Sequence, residues 1–600
     1  GTGMGTGMGT GLVRARVSRA PRPRARRYHA AMPAERLAAV IDPAGGARPL
    51  LDPDASPRPV DGPAPPAGAV VLLEGARVLE TLAPPGSAKA ALYALAARRG
   101  LDPVFPAAVR AEVAALERDP SIDDPALVDR TDLPFVTIDG ATSRDLDQAL
   151  FIAPEGAGHV VHYALADASH YCRPGTALFD EALRRGASFY LPGLMIPMLP
   201  RALSEGLVSL NPEVERRALS FVMRLDAEGR VRETRVERAR IRSRAKLDWG
   251  GVQAFYDGGP GFGAAIDASL EALAEVGRRR MALAEARGVV RYRRSEVAVK
   301  LAGAEGLRFV VLQDVRRPVE RYNEQLSLLC NVEGAKRLEA AADDAEPNGF
   351  VEPIFRVHPA PDAARLADFE AMLDALVESH DLDPAVWRWR RDEGRPLAAY
   401  LDALPREGRL GRLARAVHRQ AVMVNVRSVF QTEAAGHHGV GAEVYARFSA
   451  PMREIVGVYL HLELAEALRG EGRRDEALRE RVVKKANSSK HLQRALTHEA
   501  NRLVLDQVFA RAEAEGGELA GTVMGLARGK VYVLLDEPPI DVKVYLRHQK
   551  RFAEAPLEMD PHGTTLRSGD RTLCRLGDAV RVRVRGKDAE RDRWILTLVP

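Results

Sequence analysis

Between Val136 and Gln148 the chain reads Val-Thr-Ile-Asp-Gly-Ala-Thr-Ser-Arg-Asp-Leu-Asp-Gln. An apolar, strand-forming run leads straight into three carboxylates, Asp139, Asp145 and Asp147, with Arg144 among them. Three acids this close repel one another and lose hydration once the site is even partly buried. A divalent cation relieves both penalties, and Mg²⁺ takes hard oxygen ligands that it shares with substrate phosphates. The alternative is an acidic loop in full solvent. A second candidate is the row Arg238, Arg240, Arg242, Arg244 and Lys246, at every second position. On a strand this period puts all five on one face, opposite Ala239, Ile241 and Ala245. The row is either a solvated strand face or a cationic stripe whose self-repulsion a polyanion would relieve. Arg278, Arg279 and Arg280, with Arg287, Arg291, Arg293 and Arg294, form a second basic cluster. The three consecutive arginines point in different directions on a helix, so at most two share a ligand.

These residues need a scaffold, and the chain has material for one. Six hundred residues, 46% hydrophobic and 28% charged, suit a globular chain of about three to five domains. No window reaches the ~18 apolar residues of a membrane span. Cys172, Cys330 and Cys574 form no Cys-x-x-Cys pair, so neither a zinc site nor a disulfide framework is expected, and a reducing cytoplasm fits. The net charge is +5, but residues 1–31 hold seven arginines and no acid, leaving the rest at −2. A global basic field is therefore no argument for nucleic acid, and any such surface must be local. Residues 1–32 read as a disordered basic leader. It is an over-extended start with Met32 as the true first residue, a basic tail, or a targeting peptide.

From 33 to 86 the pattern predicts short strands (Leu37–Ile41, Ala69–Leu73, Ala76–Leu82) between turn residues. A helical linker follows over 87–130. From 131 to 510 runs one mixed α/β domain, with strands near 135–139, 148–152 and 159–166 and helices at 263–286, 321–343, 362–380 and 452–470. Strands return over 518–600, at 521–525, 530–535, 541–546, 580–585 and 594–599.

Asp-x5-Asp-x-Asp after an apolar strand resembles the catalytic signature of the ribonuclease II/R (RNB) exoribonucleases. Separated motifs extend the resemblance over roughly residues 70–600. The segment Gly186-Ala-Ser-Phe-Tyr190-Leu-Pro-Gly-Leu-Met-Ile-Pro-Met-Leu-Pro200, with Leu207-Val-Ser-Leu210, is similar to the family's tyrosine segment. Arg321-Tyr-Asn-Glu324-Gln is similar to its helix with an acid near the ribose, and Tyr445-Ala-Arg-Phe-Ser-Ala-Pro-Met-Arg453 to its aromatic-Ser-x-Pro-x-Arg motif. The resemblance implies an α+β multidomain fold: a reduced cold-shock/OB-like β domain, a large RNB catalytic domain and a C-terminal S1-type OB barrel. It implies metal ligation by Asp139, Asp145, Asp147 and Gln148, with Asp147 and Arg453 catalytic. It further implies RNA contacts from Tyr190, Trp249 and Glu324, and the basic row supplies Arg240, Arg242 and Arg244. His461 ends the arginine motif, and a core role is expected for it.

Two departures stand out. The family's fourth acid is here Gln148, whose carbonyl can still ligate but carries no charge, and the Arg/Lys-Tyr-x-Asp after the arginine is here Glu454-Ile-Val-Gly457. The expected protein is a cytoplasmic, Mg²⁺-dependent (or Mn²⁺-dependent) 3′→5′ exoribonuclease that degrades single-stranded RNA processively to nucleoside 5′-monophosphates. A monomer is expected, with no membrane association and no protein partner indicated. A non-catalytic RNA-binding relative is the alternative.

Overall fold

The apolar runs around the acidic motif build the centre of the molecule. The computed structural model describes residues 33–600 except 291–295, 304, 305, 307, 315, 344–350, 471, 473, 528 and 600. The arginine-rich leader and the cluster members Arg291, Arg293 and Arg294 lie outside the described residues. Val136–Asp139 and Gln148–Glu155 pair as a hairpin whose connection is the acidic segment. Gly158–Ala166, Glu215–Leu225 and Val231–Arg242 extend it antiparallel. Val128–Asp129 joins one edge and Ala245–Asp248 the other, both in parallel.

The connectivity forces this seven-stranded sheet to roll. Laid flat, Val231–Arg242 and Ala245–Asp248 would lie five strand spacings apart, about 24 Å. Only Ser243 and Arg244 connect them, a reach of about 11 Å at most. The sheet therefore curls until its edges face each other. Helices Ala264–Ala286, Pro318–Asp343 and Ile455–Arg469 pack around it, closing a core that includes Phe135, Tyr163, Phe221 and Phe448. Strands and helices near the site thus fall where hydrophobic periodicity placed them.

One element had not been anticipated. Glu476–Glu515 is a single 40-residue helix, about 60 Å long, capped by Asp475 and ended by Gly516 at φ 62°. Val482 and Ala486 belong to the central core, Leu496 and Ala500 to an N-terminal core, and Phe509 and Ala512 to a C-terminal one. The helix is a spine along which three bodies are threaded. A further helical group, Ala363–His380, Leu397–Ala403 and Gly408–Val424, packs around Trp387 and Trp389 and reaches Met524 and Leu576.

The two flanking β regions are open sheets. Residues 36–83 form four strands in the order Ala47–Pro49, Arg36–Ile41, Val70–Glu74, Arg77–Ala83, and no ladder joins the outer two. With one outer strand only three residues long, the expected small barrel does not close. Residues 518–599 form a five-stranded sheet in the order Asp541–Tyr545, Lys530–Leu535, Glu518–Ala527, Ala579–Asp588, Arg593–Val599. Its edges approach within 8 Å (Cα–Cα) without pairing. Leu557–Met559, Thr565–Ser568 and Arg571–Arg575 make a separate small sheet that had not been expected. Among the described residues no helix is long and apolar enough to cross a membrane.

The acidic connection is held from two sides. Ser209, fully buried, accepts the Leu146 N–H at 3.0 Å and donates to the Arg144 carbonyl at 2.7 Å. Leu210 N–H donates to the Leu146 carbonyl, and Lys246 Nζ donates to the carbonyls of Ala141 and Ser143. The last cation of the basic row is thus a clamp on the acidic loop. Ser209→Ala leaves the buried Leu146 N–H unpaired, which costs about 1–3 kcal/mol. The expected result is a lower urea midpoint at unchanged slope, measured by equilibrium unfolding.

Candidate active site

Asp147 is 3% exposed, and the two oxygens of its carboxylate meet residues that lie more than three hundred positions further along. Oδ1 accepts the Met452 N–H at 3.1 Å, and Oδ2 accepts Arg453 Nε at 2.5 Å. Burial pushes the Asp147 carboxyl up to about 6, outweighing Arg453. The carboxylate in turn raises the Arg453 guanidinium. Asp145 is also raised, by burial first, with Arg453 opposing and Asp139 adding to the rise. Asp139, at the end of its strand, turns back to accept Gly140 N–H at 2.6 Å and Ser143 Oγ at 2.9 Å.

The arginine segment is fixed as firmly as the acids. Asn331, fully buried, accepts the N–H groups of Phe448 and Ser449 and donates to Tyr445 and Ser449 hydroxyls, at 2.7–3.0 Å. His461 Nε2 lies 3.0 Å from the Phe448 carbonyl. Burial lowers this histidine to about 4, so it is neutral and serves packing, as expected. Glu454, next to Arg453, meets Lys490 at 2.7 Å and Arg447 at 3.5 Å. Burial would raise its carboxyl, but Arg447 and Lys490 together hold it at about 2. The replaced motif after Arg453 therefore supplies its own ion-pair support.

These walls enclose a cavity of about 340 Å³ lined by Asp139, Asp147, Gln148, Trp249, Glu324 and Arg453, among others. Asp145 stands beside it, coupled electrostatically to Asp139 and Arg453. Tyr190 is 44% exposed, with its hydroxyl in the field of Arg453, Asp145 and Asp147. Trp249 opens helix Trp249–Tyr256, which is capped by the Asp248 carboxylate. Glu324 pairs with Arg316 at 3.1 Å.

Two of the predicted sets make contacts within the chain itself. Gln148 does not present a free amide: Tyr163 donates to its Oε1, and its Nε2 donates to the Ser449 carbonyl at 2.6 Å. One lone pair of the oxygen remains, and the side chain ties the hairpin to the arginine segment. Arg240, Arg242 and Arg244 do not line the cavity. Arg240 pairs with Asp129, Asp123 and Glu215, and Arg244 donates to the Thr131 carbonyl at 2.7 Å. For Arg240 and Arg244 the row's repulsion is relieved by the chain's own oxygens. Arg278–Arg280 split as expected: Arg279 meets Glu275, and Arg280 donates to the Gly229 carbonyl.

Other cavity residues went unread in the sequence. Glu320, Asn323 and Ser327 recur at helical spacing with the predicted Glu324 on Pro318–Asp343, so the four form a polar stripe on one face. That stripe was the available signal. Arg447 and Ser449 stood inside a recognised motif without a role.

The donor chemistry fits a hard divalent cation. Among the described residues no three His, Cys, Asp or Glu side chains converge closely enough to hold one ion. Asp139 bonds its own loop, and the Arg453 guanidinium pairs with Asp147. Four carboxylates of the lining (Asp139, Asp147, Glu320, Glu324) face three guanidiniums (Arg316, Arg447, Arg453), so the cavity lacks positive charge for a phosphate. Carboxylate oxygens in a region short of cations are what Mg²⁺ selects.

The RNB domain family matches residues 128–470. Ribonuclease R of Escherichia coli (strain K12) is 30% identical over 363 residues, covering 60% of this chain and 42% of that protein. Ribonuclease R of Vibrio parahaemolyticus is 28% identical over 502 residues, covering 80% and 57%. The chain spans about half the length of these curated relatives. The apo form of Mycoplasma genitalium RNase R superposes with a TM-score of 0.75 at 18% identity, over 94% of this chain and 90% of that one. The same protein in complex with ribose methylated single-stranded RNA gives 0.73 at 18% identity, over 89% and 83%. At that identity the likeness establishes the fold. The family match, by contrast, covers more than half of the chain and falls on the sheet and helices that carry the cavity, and this chain belongs to the RNB family of ribonucleases II and R.

Proposed function

We propose that this chain is a divalent-metal-dependent 3′→5′ exoribonuclease that degrades single-stranded RNA processively to nucleoside 5′-monophosphates. One observation carries the reading: Asp139, Asp147, Glu324 and Arg453 share one cavity, with Asp145 and the half-exposed Tyr190 beside it. Asp139, Asp145 and Asp147 would hold Mg²⁺ or Mn²⁺, which when bound supplies Lewis acidity toward water and phosphate. Arg453 neutralises charge that grows on the phosphate in the transition state. Tyr190 offers an aromatic face that holds any base. Glu324 senses the ribose 2′-hydroxyl, and Trp249 packs near the terminal ribose.

In this reading residues 131–510 are the catalytic domain, and the linker is 87–130. The five-stranded sheet of 518–600 is an S1-type RNA-binding domain, and the open sheet of 33–86 a reduced cold-shock-like one. The three buried free thiols, Cys172, Cys330 and Cys574, accord with a reducing cytoplasm, where the chain works as a monomer. A non-catalytic RNA-binding relative is the second reading, favoured by the uncharged Gln148 at the position of the fourth acid.

Digestion of a 5′-labelled single-stranded RNA, with EDTA and with Mg²⁺ or Mn²⁺ added back, separates the two. The expected product is a mononucleotide released from the 3′ end only when metal is restored. RNA binding without cleavage at any metal concentration establishes the second reading.

Asp147→Asn removes one anionic ligand while leaving stacking and phosphate contacts in place. Hydrolysis is expected to fall by more than about a hundredfold, the scale of one transition-state charge contact, with RNA affinity retained in a filter-binding assay. Arg240→Ala provides the opposite test. Because Arg240 is held by three carboxylates of its own chain, RNA affinity and its salt dependence are expected to stay those of the parent protein. A shallower salt slope would mean that Arg240 releases its partners to a phosphate.

A further inference from the structure

Tyr190 lies on Phe189–Leu191, whose only strand partner among the described residues is Leu194–Ile196. The other edge of the strand meets the long helix. There Gln493 takes the place of a strand: its Oε1 accepts the Tyr190 N–H at 2.9 Å, and its Nε2 donates to the Tyr190 carbonyl at 2.8 Å. One side-chain amide thereby satisfies both backbone groups of the residue whose ring faces the site. The same helix repeats the device. Asn487 accepts the Phe430 N–H at 2.9 Å and donates to its carbonyl at 2.8 Å, and Lys490 between them holds Glu454, next to Arg453. Helix and tyrosine segment also meet closely upstream, where a Cβ on Gly186 (φ 79°) would collide with Ser489 and Lys485.

We propose that Gln493 is a positioning residue for Tyr190, fixing where its ring stands and hence how short an RNA the protein still holds. The inference rests on the reading of Tyr190 as a base-stacking clamp. Two backbone bonds on one residue leave its strand little freedom to slide or twist, so the ring projects from a fixed origin. Without them the Tyr190 backbone loses its partner on the helix side, and the strand keeps only its two-stranded sheet, which is marginal in isolation, and the packing of Phe189 and Leu191. Stacking on a mobile ring loses part of its binding free energy to the entropy of ordering it.

The test uses the full chain carrying Gln493→Met, similar in size but without either bond, Gln493→Glu, which keeps the acceptor and loses the donor, Tyr190→Ala, and the double variant Gln493→Met/Tyr190→Ala. Binding is read in EDTA by quenching of 2-aminopurine at the 3′ end of a short RNA, independently of cleavage. Activity is read as KM, kcat and limit-product length. Gln493→Met is expected to weaken quenching and raise KM on short RNA about fivefold, the equivalent of one intramolecular hydrogen bond. The effect falls on KM rather than kcat, and the limit product lengthens as in Tyr190→Ala. Gln493→Glu falls between, and the double variant is no worse than Tyr190→Ala alone, because the two act through one ring. Quenching and limit product identical to the parent protein overturn the inference, even where the thermal midpoint drops, and so do fully additive effects in the double variant. If the parent quenches and Gln493→Met does not, yet neither cleaves RNA, the catalytic reading fails and this inference stands. If the parent does not quench at all, Tyr190 is no stacking clamp and the inference falls with it.

Discussion

Burying a carboxylate is unfavourable unless hydrogen bonds and an opposite charge replace its water, and Asp147 is where this chain meets that condition. Its replacements, the Met452 N–H and the Arg453 guanidinium, come from a segment that folds far downstream. A buried pair is weak evidence for net stability, but removing one partner strands the other. The geometry is therefore enforced from both ends. On the acid side Ser209 and Lys246 pin the hairpin connection. On the arginine side Asn331, His461 and Glu454 pin residues 447–454. Glu454 passes the charge alternation on to Lys490 of the long helix, so the spine is tied to the same chain of ion pairs.

Much of this was readable because it is periodic or local. The apolar run before Asp139 ends in a strand, and the turn chemistry of 140–147 makes the hairpin connection that collects the acids. The helices at 264–286, 318–343, 363–380 and 455–469 show their spacing plainly. Helix Glu476–Glu515 does not, because its buried residues serve three cores in turn. No single apolar stripe persists along it, and charged residues fill the gaps. The basic row is legible only in part, for a different reason. Its period predicts one strand face through Lys246, but strand Val231–Arg242 ends before Ser243 and Arg244, and Lys246 lies on Ala245–Asp248. The contacts of Arg240 come from Asp123, Asp129 and Glu215, which only the rolled sheet brings near. The contacts of Gln148 are hidden in the same way. Its residue type permits ligation, while the neighbouring strand places Tyr163 on the oxygen it would use.

Under the proposed function, the distribution of charge sets what the cavity can hold. Outside the first 31 residues the chain has no cationic excess, and several arginines that read as a polyanion surface are tied to the chain's own oxygens. Long-range attraction of a phosphate backbone is correspondingly weak. Under the proposed function, what remains for recognition is short-range: the ring faces of Tyr190 and Trp249, the polar stripe of Pro318–Asp343, and three guanidiniums set among four carboxylates in the cavity. A phosphate entering that cavity alone meets a deficit of positive charge, and a cation entering alone meets Arg453 already on Asp147. The two together balance the site, because the phosphate offers Arg453 a second anion while the cation offers the aspartates a second positive charge. Under the proposed function, that mutual dependence couples the metal to the presence of RNA, and it arises from one ion pair held in place by the fold.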